Sequence, residues 1–160
     1  GVTPDAVRTG IARARWPGRM QRLTSGPLLE SLPPGAELWL DAAHNPMGAT
    51  ALAAAFGELG KQDARPLHLV FSMLDDKDIT GFLSPFASCV THAMAVPLDD
   101  ETRAMTTREM VAAAGVAGLT ATAAASVADA LAQIPASGTP PRVLVTGSHL
   151  LVGATLRANM

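Results

Sequence analysis

The sequence predicts an α/β fold of three layers, with a mainly parallel sheet of about six strands covered by helices on both faces. Three observations predict it. Short apolar runs alternate with longer segments of helical spacing along the whole chain. Apolar runs such as Leu67–Ser72 (LHLVFS) and Arg142–Thr146 (RVLVT) read as strands. A helix-start signal follows directly on a strand, as Asn45-Pro46 does after Glu37–Asp41 (ELWLD).

The elements follow in order. Thr3 caps and Pro4 opens a first helix, with Val7, Ile11 and Ala14 on one face and Trp16-Pro17-Gly18 as its stop. Arg19–Thr24 reads as a strand, followed by a Gly- and Pro-rich loop. After strand Glu37–Asp41, Leu52, Phe56 and Leu59 carry a helix that Gly60 closes. Leu67–Ser72 is the next strand, and the loop Met73–Asp78 leads into a short helix. Cys89–Val96 is a strand. Thr106 and Glu109 have capping-box spacing ahead of Met110 and Val111. Leu119–Thr122 is a short strand. Ser126 and Asp129 repeat the box before Val127, Ala130, Leu131 and Ile134. Arg142–Thr146 is the last strand, and Gly147-Ser148 starts the last helix. Parallel strands joined by such crossovers give a Rossmann-like sheet.

Composition bounds the rest. A chain of 160 residues with 48% hydrophobic and 16% charged residues can bury one sizeable core, so residues 1–160 are expected to form one domain. Aromatics are 4% and Tyr is absent, which assigns the core to Ala, Val, Leu, Ile and Met. Trp16 and Trp39 are expected to pack, and His68 and His92 to be structural strand residues. The net charge of −2 argues against nucleic acid as a partner. No run reaches membrane-span length and no signal peptide is recognisable, so the cytoplasm is the expected compartment. One cysteine, Cys89, excludes an internal disulfide and a Cys-based zinc site, and it is expected in the core. Arg8, Arg13, Arg15, Arg19 and Arg22 stand against Asp5 alone, either as a solvated face or as a local anion site or domain interface.

In such sheets ligands bind beyond the carboxyl ends of the strands, which singles out the loops after Leu40, Ser72 and Thr146. In the first, Asp41 ends a buried strand, where a carboxylate can accept from ligand hydroxyls. His44 and Asn45 stand before a helix N-terminus, which favours anions. Asp41 and Asn45 equally suit plain caps of the turn, with His44 a surface residue. In the second, Asp75, Asp76 and Asp78 lack calcium-loop spacing and read as a solvated acidic loop, so no metal site is expected; Lys77 can contact a phosphate or carboxylate. In the third, Gly147 permits close backbone approach and Ser148 offers a hydroxyl at a helix start. No G-x-x-x-x-G-K-[ST] loop, G-x-G-x-x-G fingerprint or G-x-S-x-G elbow is present, so the chain has no phosphate cradle of its own.

Taken together, WPGRMQ (Trp16–Gln21), LDAAHNP (Leu40–Pro46), MLDDKDI (Met73–Ile79) and Gly147-Ser148 resemble, in order and spacing, the C-terminal domain of folylpolyglutamate synthase/dihydrofolate synthase. AHNP is shared across the wider Mur ligase superfamily, whereas the PGRMQ turn narrows the likeness to folate ligases. Ala42 stands where that family usually has Gly, and His149-Leu150-Leu151 follows where it often has Tyr. The resemblance implies an ATP-dependent ligase of the Mur C-terminal domain type. Such a ligase joins L-glutamate to dihydropteroate or folates through an acyl phosphate. Magnesium and the phosphate loop would belong to an N-terminal ATPase domain, which is the expected partner and is absent here. By position, the resemblance implies ATP contacts for Arg19, Asp41, His44 and Asn45, with Arg19 and His44 as catalytic residues. It implies glutamate contacts for His44, Lys77 and Ser148. The alternatives are another Mur-type amide ligase or a stand-alone nucleotide-binding or interaction module. This chain alone is expected to be inactive.

Overall fold

The computed structural model describes residues 1–160 apart from Arg15, Asp100, Ser137 and the side chains of residues 11–13. The strands are β1 (Gln21–Leu23), β2 (Glu37–Leu40), β3 (Leu67–Phe71), β4 (Val90–Ala95), β5 (Ala121–Ala123) and β6 (Arg142–Thr146). The helices are α1 (Pro4–Arg13), α2 (Pro27–Glu30), α3 (Pro46–Gln62), α4 (Ile79–Leu83), α5 (Thr107–Val116), α6 (Val127–Ala132) and α7 (His149–Ala158). One six-stranded sheet runs in the order β1-β2-β6-β3-β4-β5. Every neighbouring pair is parallel except β1 against β2, which is antiparallel with Gln21 opposite Leu40.

Successive strand residues point to opposite faces, and each face buries its own layer. Leu69 and Phe71 of β3 pack with Leu52 and Phe56 of α3, Phe82 of α4 and Met110 of α5. Val70 of β3 packs on the other face with Val143, Val145, Leu131 of α6 and Leu151 of α7. The chain's 4 phenylalanines (Phe56, Phe71, Phe82 and Phe86) all lie in the first layer. The core therefore departs from the purely aliphatic one expected from composition: its largest side chains are aromatic and concentrated on one face. Each such ring, fully buried, contributes about 1.5–3 kcal/mol.

Caps fix the helix starts. The Asn45 side chain accepts from the Gly48 N–H at 2.9 Å and begins α3, with Pro46 in its first turn. The capping box of Thr106 and Glu109 is complete in both directions. At Ser126 the hydroxyl accepts from the Asp129 N–H, but the Asp129 carboxylate accepts from Ala125 instead of Ser126. Helix α3 runs past Gly60 to Gln62, where the Asp63 N–H still reaches the Leu59 carbonyl. A single helical glycine costs only about 1 kcal/mol, too little to stop a helix packed on the sheet.

Other expectations are corrected. The Gly- and Pro-rich loop contains α2, whose Leu28 is buried. The fifth strand is Ala121–Ala123, shifted beyond Leu119–Thr122. Trp16 is 74% exposed and does not pack. Cys89 is only half-buried at the core's edge, its thiol pushed above the ordinary range by burial. Val7 of α1 is exposed, and Ile11 lies outside the described side chains. His68 and His92 are strand residues paired across β3 and β4, as expected. Burial, followed by the charge of His92, holds the His68 imidazole below its ordinary value.

A charged pair joins the amino ends of β2 and β6. Arg142, 4% exposed, donates from Nε to Glu37 Oε2 at 2.7 Å. The Trp39 indole N–H donates to the same oxygen at 3.0 Å, and Arg22 stands 3.3 Å from Oε1. Burial alone would raise the Glu37 pKa, but the hydrogen bonds from Arg142 and Trp39 and the charges of Arg142 and Arg22 leave it below its ordinary value.

Candidate functional site

The topology opens a crevice at the carboxyl edge of the sheet. Adjacent strands β2 and β6 send their following helices to opposite faces, α3 to one and α7 to the other. The loops Asp41–Asn45 and Gly147-Ser148 must therefore part, leaving a crevice between the N-termini of α3 and α7. Because β1 is antiparallel, the turn that precedes it falls at the same edge. That is how Trp16–Gln21 comes to face the loop after β2.

Polar contacts hold the turn, and Met20 packs from it against the core. Gly18 has φ 71 and its N–H donates to Gln21 Oε1 at 2.8 Å, while its carbonyl accepts from the Ala42 N–H at 2.8 Å. Met20 has φ 40, the sole non-glycine residue with positive φ among the described residues. Such backbone is costly for a side-chain-bearing residue and persists only where its surroundings hold it. Asp41 is what holds it. Its carboxylate is buried; Oδ2 accepts from the Met20 N–H at 2.8 Å and Oδ1 from the Ala43 N–H at 2.8 Å. Arg19 places its guanidinium 3.8 Å from Oδ1 while remaining 49% exposed. Asp41 thus ties two turns together and faces a cation, and an ionised carboxylate retains lone pairs for a ligand hydroxyl. Ala42 does not take positive φ, so the absence of Gly there costs nothing.

His44 stands at the centre. Its Nδ1 lies 3.0 Å from the Ala42 carbonyl, which can only accept, so Nδ1 carries a proton and Nε2 is the atom left for chemistry. His44 lines two clefts. One holds Arg19, Met20, Asp41, Asn45, Met47 and Ala51; the other holds Lys77, Arg103, Gly147, Ser148 and His149. His149 faces His44 edge-on, with ring centroids 6.3 Å apart. The Ala43 carbonyl accepts from the Gly147 N–H at 2.9 Å, which fixes the third loop against the first. Gly147 has φ 97, and a Cβ there would lie 2.5 Å from the Ser72 carbonyl oxygen, so only glycine fits.

The six residues singled out by sequence therefore share one edge, in two groups that meet at His44. The Asn45 side-chain oxygen is engaged in capping α3. Ser148 is 2% exposed and its hydroxyl accepts from the Leu150 N–H, capping α7. Lys77 is half-buried and pairs with Asp76 at 3.0 Å. Asp78 caps α4 through the Gly81 N–H, which accounts for it without a metal. Among the described residues no group of three or more His, Cys, Asp or Glu side chains could hold a metal ion. Of the basic N-terminal cluster, Arg8 pairs with Asp5 on an exposed helix, Arg19 reaches Asp41 just after β2 and Arg22 reaches Glu37 at its start, and Arg15 and the Arg13 side chain lie outside the described residues. Sequence reasoning missed Arg103. The signal was present: it follows β4, whose carboxyl end lies at the same edge as the three loops considered.

The family model described as Mur ligase, glutamate ligase domain, matches residues 18–149. The dihydrofolate synthase/folylpolyglutamate synthase of Mycobacterium tuberculosis is 37% identical over 111 residues, covering 69% of this chain and 20% of that protein. Escherichia coli FolC, solved in complex with DHPP and ADP, superposes with a TM-score of 0.76 at 30% identity, over 98% of this chain and 34% of that one. Mycobacterium tuberculosis folylpolyglutamate synthase complexed with ADP and AMPPCP gives a TM-score of 0.73 at 27% identity, over 97% of this chain and 35% of that one. The chain spans only a fifth of the curated relative's length and about a third of the solved chains.

Proposed function

Because the chain belongs to the Mur ligase glutamate ligase domain family, we propose that it is the C-terminal domain of an ATP-dependent ligase joining L-glutamate to dihydropteroate or folates. ATP would phosphorylate the acceptor carboxylate to an acyl phosphate; the glutamate amine attacks its carbonyl carbon, the C–O bond to phosphate breaks, and phosphate leaves with that electron pair. The remaining domain, with the phosphate loop, is the partner of this one. Magnesium would be held mainly by that domain; among the described residues of this chain no group of three or more His, Cys, Asp or Glu side chains could hold a metal ion.

The observation that carries the reading is the position of His44, common to a cleft holding Arg19 and Asp41 and to one holding Lys77 and Ser148. On the nucleotide side, Arg19 offsets phosphate charge with a guanidinium that is half exposed yet aimed by Asp41. Asp41 accepts from ribose hydroxyls with its remaining lone pairs. Asn45 contributes the N-terminus of α3 that it caps. On the amino-acid side, Lys77 and Ser148 hold glutamate, and His44 Nε2 lies where the attacking amine gives up its proton. Closure of the domain over ATP would exclude water from the acyl phosphate. The proposed compartment is the cytoplasm; among the described residues no helix is long and apolar enough to cross a membrane.

Steady-state kinetics on the full-length ligase test the assignment. Arg19→Ala is expected to lower kcat/KM for ATP by about 100-fold, the usual loss for a charged group acting on the transition state, with thermal stability unchanged because the side chain is half exposed. ATP kinetics matching the wild type would remove Arg19 from the site.

A further inference from the structure

The cleft beyond His44 has a cation that the proposed function has not used. Arg103 lies in the segment after β4, and that segment is laced to the loop after β3. The Asp75 N–H donates to the Arg103 carbonyl at 2.8 Å, and the Met105 N–H donates to the Met73 carbonyl at 3.0 Å. Leu74 and Ala104 form a β-bridge between the same segments. The two loops thus make one wall of the cleft, presenting Lys77 and Arg103; Ser148 and His149 at the start of α7 line it with them.

The charges are arranged in a chain. Asp76 pairs with Lys77 at 3.0 Å, and Glu101 Oε1 stands 3.6 Å from Arg103 Nε. The Glu101 carboxylate also accepts from the Arg103 N–H at 3.0 Å, fixing the residue's backbone. The Asp76 carboxyl is held below the usual range first by its hydrogen bond from Lys77, then by the charges of Lys77 and Arg103, so both cations act on the same locality. The guanidinium remains 60% exposed with Nε turned to Glu101. A planar guanidinium fork with its outer edge open suits a carboxylate bidentately, which a lysine ammonium cannot do.

We infer that Arg103 binds the side-chain carboxylate of the incoming amino acid and selects a dicarboxylate over its neutral analogues. The inference rests on the proposed ligase function and adds a residue to it. A neutral amino acid leaves the outward edge of the Arg103 guanidinium without a carboxylate partner, and the loss of such a charge-assisted contact discriminates against it.

The test uses the full-length ligase with L-glutamate and L-glutamine as competing amino acids. Arg103→Ala is expected to raise KM for glutamate about 30-fold, in line with loss of a charge-assisted contact, and to shrink the preference for glutamate over glutamine by a similar factor. KM for ATP should stay within about 2-fold, and Arg103→Lys should recover only part of the loss. A wild type that uses glutamate, with an Arg103→Ala variant of unchanged glutamate KM and unchanged preference, overturns the role of Arg103 and leaves the ligase reading standing. A loss confined to ATP kinetics overturns it equally. A wild type that takes no glutamate overturns both.

Discussion

Replacing Asp41 by Ala in the full-length ligase is expected to lower kcat/KM for ATP by about 100-fold or more, the scale on which small misplacements of reacting groups act. Three contacts are lost together. Met20 loses the acceptor that holds its φ of 40, and the Ala43 N–H loses its partner beside His44. Arg19 loses the carboxylate that aims it. Backbone at positive φ costs of order 1–3 kcal/mol for such a residue, and the Trp16–Gln21 turn would relax to release it. Asp41→Asn is expected to do little better. Both carboxylate oxygens accept from backbone N–H groups, so the amide must aim its NH2 at a donor whichever way it turns. Kinetics of both variants, with near-ultraviolet circular dichroism to confirm folding, check this. An Asp41→Asn enzyme with normal ATP kinetics would show that the carboxylate does not organise the site.

The second large effect lies at the opposite edge of the sheet. Arg142→Leu is expected to destabilise the fold by about 3–5 kcal/mol, because it leaves the Glu37 carboxylate buried without its main partner. Domains are stable by only about 5–15 kcal/mol, so this is a large share of the total. The double variant Glu37→Leu/Arg142→Leu should recover most of the loss, since two packed apolar side chains bury no charge. The pair also sets a pH dependence. Glu37 is held below its ordinary value of 4.5 in the folded state, so its contribution is fully present above that value and fades as pH falls through the lower, folded one. Denaturant titrations between pH 7 and 3 should show this acid loss in the wild type and a smaller one in the double variant. Equal slopes would remove the pair from the account.

How much of this was legible before the structure depends on range. Local signals were readable: the cap at Asn45, the box at Thr106 and Glu109, and buried strands such as Leu67–Phe71, which the structure finds within a residue of the expected ends. Each is fixed by contacts a few residues apart. The Glu37–Arg142 pair was not, because its members lie 105 residues apart and each opens an apolar run that reads the same without it. The insertion of β6 between β2 and β3 was equally invisible, yet with α3 and α7 on opposite faces it creates the crevice. The candidate residues after β2, β3 and β6 followed from the strand-end rule. Arg103 was missed because the rule was not extended to β4. Trp16 was misplaced because large aromatics usually pack, whereas this one rides an exposed turn that polar contacts hold. The turn Asp41–Asn45 carries both roles the sequence allowed it to hold: Asn45 caps, Asp41 ties the turns, and His44 is left between two clefts.

The most direct measurement of the central claim is product formation by the full-length protein. Incubated with ATP, L-glutamate and dihydropteroate or a folate, it should release one ADP per glutamyl amide bond formed, and omission of glutamate should abolish the amide product. ATP-dependent amide formation with a different amino acid and no folate acceptor, or no ligase turnover at all under conditions where the protein is folded, would contradict the account.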